Sequence, residues 1–379
     1  MYLALGLIAC LASRPTVAQK KPAAPGSDVV VFKNGDRLTG TLESSVGSDL
    51  VFKSDIFGDL TISMEDIKEV RSPNSFVVLK KNEKVTRKPT PATTIEITDD
   101  SVKQTSGAGE TVPAKSIGYI VDGATYNKEL NGNPGPFKGW NGAITGGATV
   151  LQSTSYGQSF TAGVSLFRTI PDVAYLPLRT RTTFNLLETY GKLTQPVVPN
   201  PTHLPDSVAK TNIFHTDFEH DKYLTSRFYL LGGLAYDHNY SQGLDFQQIY
   251  GGGAGYTILL DAVQQLDAKA ALHYERQNFI QYAPPAISSQ NQNLIGSTIG
   301  ETYKRKLPAK ILFTQSGTYI QSWNNTDAWS AIGAFGLTLP VYHRLALSVN
   351  FLDNYLNNPA LGYNKNSLQF VTGVTYTLR

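Results

Sequence analysis

Cysteine is nearly absent from this chain. Its single occurrence, Cys10, lies in an apolar run near the amino terminus. The body of the protein therefore holds no disulfide and no thiolate metal site, a composition that suits an oxidising compartment. Charge is scarce as well. Asp, Glu, Lys and Arg make up 17% of the residues, against about a quarter in ordinary globular domains. The net charge of +3 is too small to draw nucleic acid, and no long Lys/Arg stripe appears, which excludes that partner class. Long apolar runs are missing too: nowhere do about 18 apolar residues follow one another, the length a transmembrane helix needs.

What the chain has is glycine and aromatics, with 33 Gly, 20 Tyr and 17 Phe. That is a β-rich profile. The start, "MYLALGLIACLASRPTVAQ", carries an apolar stretch from Tyr2 to Ala12 and then small residues to Ala18. It reads as a secretory signal over 1–18, cleaved after Ala18. "LIAC" at Leu7 to Cys10 also resembles a lipoprotein signal, which would acylate Cys10. Residues 19–27 read as a Pro/Ala linker.

Sharp period-two alternation begins at Asp28. "DVVVFKNGDRLTGTLESS" predicts a strand, an Asn34-Gly35 hairpin turn and a second strand. "VVVFKNGD" at 29–36 matches "FVVLKKNE" at 76–83, and "TISMEDIKEV" at 61–70 matches "TVPAKSIGYIV" at 111–121. We read two small tandem β modules, over 28–72 and 73–130, which pack together because each alone buries only a marginal core. The charged turn Lys33–Arg37 is read as a solvated hairpin tip in preference to a ligand loop. A Pro/Gly linker covers 131–137.

From 138 to 379 the texture changes. Twelve alternating runs follow, near 138–151, 157–168, 177–191, 209–221, 225–238, 246–260, 264–276, 292–305, 309–322, 328–339, 343–353 and 366–378. Each is about twice the length of a soluble strand, and about ten tilted residues already cross a bilayer. Short connections such as "KYL" and "KLP" alternate with long polar ones such as "KLTQPVVPNPTHLPDSVA" and "QNFIQYAPPAISSQNQ". Short turns on one side and long loops on the other are the signature of a transmembrane β-barrel. The expected fold is all-β: a twelve-stranded, alternatively ten-stranded, antiparallel barrel in the outer membrane, with the tandem modules in the periplasm. Trp140, Trp323 and Trp329 fall at predicted strand ends, where an aromatic girdle sits.

One run, "FEHDKYLTSRFYLLGGLAYDHNYSQGLDFQQIYGGGAGYTILL", resembles the salt-induced outer-membrane protein family of Gram-negative bacteria, also called domain of unknown function 481. "WNGAITGGATV", "HDKYLTSR", "GGGAGY" and "FVTGVTYTLR" carry the likeness, which covers about 140–379. "VVVFKNGDRLTGTL" looks like the leader module found before such barrels. The resemblance implies a barrel and a location, and no reaction or ligand. Gly373, Tyr376 and Leu378 match the terminal-strand pattern that the barrel-assembly machinery reads. Arg379 departs from it, since many members end on an aromatic residue.

In a barrel set in lipid, apolar residues face out and polar ones face in. The inward candidates are Asp217, Glu219, Asp221, Arg227, Asp237, Asp267, Lys269, His273, Glu275 and Glu301. They either pair and plug the lumen or line water and favour cations. Cross-strand pairs such as Asp221 with Arg227, or His215 with Asp237, are geometrically open. No G-x-S-x-G elbow, H-E-x-x-H or paired-carboxylate motif stands in a convincing context. "GGGAG" at 251–255 lies inside a strand with no helix after it, so it is read as relief of crowding against a neighbouring aromatic, not as a phosphate loop.

The expected function is therefore non-enzymatic: a narrow channel or an envelope structural protein, tied to salt or osmotic stress by family analogy. A lipid- or polymer-modifying hydrolase and a soluble calycin-like binder are the alternatives. No cofactor and no metal are expected. The expected partners are outer-membrane lipid, the assembly machinery, and peptidoglycan or a periplasmic protein.

Overall fold

The computed structural model describes residues 27–46, 49–54, 56–81, 92–98, 101–104, 111–131, 135–152, 155–172, 176–196, 205–260, 263–280, 291–360 and 363–378. The expected signal over 1–18, Cys10 and Arg379 lie outside them. The chain divides into two compact units near Gly123.

The first unit is a nine-stranded antiparallel sheet: β1 (Asp28–Phe32), β2 (Arg37–Val46), β3 (Asp49–Ser54), β4 (Gly58–Ser63), β5 (Ile67–Lys80), β6 (Thr93–Thr98), β7 (Ser101–Gln104), β8 (Thr111–Pro113) and β9 (Ile117–Asp122). The hairpin at Asn34-Gly35 forms, with Gly35 at φ +92, a region open to glycine at little cost. Its tip is exposed. The internal repeat is visible in the pairing. β1 lies against the first half of β5, Val30 opposite Val70. The second half of β5 lies against β9 in the same way, Val78 opposite Ile120. One-turn 3-10 helices at Met64–Asp66 and Ala114–Ser116 precede the equivalent strands. Val30 thus corresponds to Val78, one residue off the match seen in sequence. β5 belongs to both copies and β2 also pairs with β9. A single core results, with Val30, Phe52 and Ile67 from one copy and Phe76, Ile97 and Ile120 from the other.

The second unit is a closed barrel of twelve antiparallel strands. These are β10 (Trp140–Gln152), β11 (Tyr156–Ile170), β12 (Thr180–Gln195), β13 (Ser207–Tyr223), β14 (Phe228–Asn239), β15 (Leu244–Leu260), β16 (Gln264–Phe279), β17 (Gln292–Lys306), β18 (Leu312–Ser322), β19 (Trp329–Tyr342), β20 (Leu345–Leu356) and β21 (Asn366–Leu378). All twelve expected strands are present, with ends shifted by a few residues. β10 and β21 close the ring over Gly142–Gly146 against Val374–Leu378, the shortest pairing in the barrel.

Pairing of each strand with the next carries one parity unbroken around the ring. Phe228, Leu230 and Leu234 face outward, as do Leu272 at 62% and Tyr274 at 44% exposure. Ile299, Leu347, Phe351 and Phe370 continue that face on later strands. The opposite parity carries the charged residues of β12, β13 and β16 and the Ser, Thr and Asn residues of β18–β21. An apolar outside and a polar inside identify a barrel built for lipid.

Candidate functional site

The lumen has two unlike walls. Four of the five consecutive strands β12–β16, all but β15, hold Arg181, His215, Asp217, Glu219, Asp221, Asp237, Asp267, Lys269, His273 and Glu275, all on the inward parity set by the register. The facing wall, β18–β21, presents Thr318, Ser330, Ser348, Asn350 and Thr375 in the corresponding places.

On the charged wall, side chains reach past their neighbours. Arg181 Nε donates to Asp221 Oδ2 at 2.7 Å, and Nη1 donates to Asp267 Oδ2 at 2.8 Å. The guanidinium also lies over the Tyr229 ring, 5.1 Å from its centroid, where the ring's negative face attracts a cation. Asp267 accepts further hydrogen bonds from Thr257 and Gln265. Lys269 Nζ meets Glu219 Oε2 at 2.6 Å, bridging β16 and β13. His215 sits between two acids, with Nδ1 2.6 Å from Asp237 Oδ1 and Nε2 3.0 Å from Asp217 Oδ1. The crowded end of this wall is made possible by Gly255: a Cβ there would fall 2.2 Å from the Tyr229 ring. The "GGGAG" run does relieve crowding against an aromatic.

Two sequence-predicted lumen residues are placed elsewhere. Arg227 stands in the turn between β13 and β14, exposed, and donates to the carbonyl of Ile258. Asp221 therefore pairs with Arg181 and not with Arg227. Glu301 lies opposite Ala268, on the parity of Ile299, and so faces outward; Gln315 on the next strand donates to it on that surface. Alternation in β17 is weak, with polar residues on both parities, and gave no local sign of the face. Trp140 lies at the short-turn end, and Trp323 and Trp329 at the long-loop end, with Trp329 stacked on Tyr355 at 4.9 Å. Tyr376 and Leu378 face outward on β21. Gly373 faces inward at the closing seam, where a Cβ would lie 2.6 Å from the Gly146 carbonyl oxygen.

At the long-loop end the lumen is bridged. The turn between β14 and β15 folds inward and reaches the wall six strands away. Gln242, wholly buried, donates from Nε2 to the carbonyls of Asn354 and Lys365 at 3.0 and 2.7 Å. Its own carbonyl accepts from the Ala360 amide, and Ser241 Oγ lies 3.0 Å from Ser367 Oγ. Leu244, Phe279, Leu356 and Ala360 pack beneath as a small apolar cluster.

Residues 153–378, more than half of the chain, match the family model described as "Protein of unknown function, DUF481". The chain belongs to that family. No curated protein matches the DUF481 chain. Among solved structures it is similar to the translocator domain of autotransporter NalP from Neisseria meningitidis, at 10% identity and TM-score 0.34 over 62% of this chain and 87% of that one. It is similar to the COG4313 outer membrane channel from Pseudomonas putida F1, at 9% identity and TM-score 0.35 over 65% and 100%. The NanC porin is a third, at 8% identity and TM-score 0.34 over 63% and 100%.

The DUF481 barrel also depends on residues that the sequence reading did not single out. Arg181 sits in "RTRTTFNLL" among hydroxyl residues, with only another cation, Arg179, beside it and no acid nearby in sequence to mark a pair. Gln242 lies in a short turn that nothing local distinguishes from a solvated one.

Proposed function

We propose that this chain is an outer-membrane barrel whose lumen is a narrow, cation-favouring path, shut at its loop end by the Gln242 turn. The observation that carries this is the bridge itself: a turn reaching the opposite wall through side-chain and main-chain hydrogen bonds is a closure that can open without unfolding a strand. Six inward carboxylates stand against Arg181, Lys269 and, at the short-turn rim, Lys304 and Lys306, and an acidic lining favours cations. A non-enzymatic role is supported by His215, whose two ring nitrogens both face carboxylates, so neither is free to act as a base. In this reading β21 is presented to the assembly machinery, lipid covers the outer face, and the N-terminal unit lies in the periplasm, where peptidoglycan or a protein engages it. A role under salt stress rests on family resemblance, and normal growth of a deletion strain at high salt would remove it.

The test is single-channel conductance of the refolded 19–379 chain in planar bilayers. Wild-type protein is expected to show rare openings, and Gln242→Ala frequent, cation-selective ones, because two carbonyls lose their donor. A folded barrel, judged by heat-modifiable gel mobility, that stays silent in both forms would overturn the channel reading.

A further inference from the structure

His273 and Glu275 face the lumen two positions apart on β16 and are 4% and 2% exposed. Gln247 and Gln277 both donate their side-chain amides to Glu275 Oε1. That leaves Oε2 for His273, whose Nε2 stands 3.6 Å away. The gap exceeds a hydrogen bond, and Nε2 has no hydrogen-bond partner. On the other side of the ring, Nδ1 lies 2.9 Å from Thr298 Oγ1. With Nδ1–H assigned as the donor to Thr298, Nε2 turns its lone pair toward a carboxylate oxygen.

In that tautomer two electron-rich atoms face each other in a buried place, an arrangement that a cation between them relieves. Among the described residues, the imidazole is the only basic group within 4 Å of Glu275. Two ligand bonds of about 2.0–2.2 Å, meeting at about 120°, span such a separation. A hydrogen-bonded second nitrogen is how metal-bound histidines are held. The residues opposite His273 on both neighbouring strands are Gly251 and Gly296, so the ring is not crowded from either side.

We infer that His273 and Glu275 form a lumenal site for a divalent first-row transition-metal ion, with water completing its shell. Mixed imidazole and oxygen donors suit Zn2+ and its neighbours. No group of three or more His, Cys, Asp or Glu that could hold a metal occurs among the described residues, so this two-ligand site binds exchangeably. If the channel reading holds, that is the property of a stopping place on a conduction path; the binding itself does not depend on conduction.

The experiment is calorimetric titration of zinc chloride into the untagged full chain, folded in detergent. One saturable site is expected. It should vanish in His273→Ala and in Glu275→Gln, and weaken about 10–100-fold in Thr298→Val. Glu301→Gln, on the outer face, should leave it unchanged. If His273→Ala fails to fold, His273→Asn takes its place. Saturable binding that survives in both ligand variants, or no binding to a chain with folded-barrel gel mobility, would overturn the site. Zinc binding by a barrel whose wild-type and Gln242→Ala forms both stay silent in bilayers would overturn the channel reading and leave the site standing.

Discussion

Arg181 on the third strand of the barrel and Asp267 on the seventh meet at 2.8 Å, across three intervening strands. Neighbouring strands lie about 4.8 Å apart, so only the curvature of the wall brings the pair together. The same guanidinium holds Asp221 at 2.7 Å. One cation thus serves two buried acids.

Its removal should cost more than the two hydrogen bonds themselves contribute. Arg181→Ala leaves two buried carboxylates without their cation, a change worth about 3–5 kcal/mol. Urea titration of the barrel in vesicles measures it. Replacing Asp221 and Asp267 by Asn in the Arg181→Met background should recover most of that stability, since the uncompensated charges are then gone. A single-variant cost below about 1 kcal/mol, the level of a solvent-exposed pair, would mean that the bridge does not form.

Glycines should sort by what a Cβ would meet. At Gly255 it would meet the Tyr229 ring at 2.2 Å, and at Gly373 the Gly146 carbonyl oxygen at 2.6 Å; at Gly232 it would meet nothing within 4 Å. Gly255→Ala and Gly373→Ala are expected to lose about 1–3 kcal/mol through overpacking, while Gly232→Ala is nearly neutral. Tyr229→Ala should make Gly255→Ala tolerable again, whereas backbone at the seam cannot yield to Gly373→Ala in the same way. Equal behaviour of the three glycines in thermal unfolding would contradict this packing.

The two faces of β16 should respond oppositely to polarity. Leu272 points outward at 62% exposure, and Leu272→Arg there should cost about 2–4 kcal/mol in a bilayer. Ala271→Ser, on the lumen side, should be tolerated. Folding titrations in vesicles compare them. A Leu272→Arg chain as stable in lipid as the Ala271→Ser chain would mean that this face does not meet hydrocarbon.

Much of the fold was legible because strand periodicity is local. In β16 the alternation of Leu266, Ala268, Ala270, Leu272 and Tyr274 with Asp267, Lys269, Ala271, His273 and Glu275 is written in ten residues. Strand length and the contrast of short and long connections then chose lipid over a soluble sandwich. The site was legible only where alternation was clean. Glu301 went to the wrong face because β17 carries polar residues on both parities, and a strand of that kind takes its face from the register of its neighbours. Its position next to Phe228 reads Arg227 onto a strand, yet the chain is still turning at Arg227, one residue before that strand begins.

Strand number, strand length and the polarity of each face follow from residues near one another in sequence, since side chains alternate with a fixed period of two. The encounters follow from something else. Arg181 finds Asp267, Lys269 finds Glu219, and Gln242 finds the carbonyls of Asn354 and Lys365 only after the wall has closed on itself. Their spacing depends on how twelve strands curve and stagger around the ring, and no stretch of sequence records that.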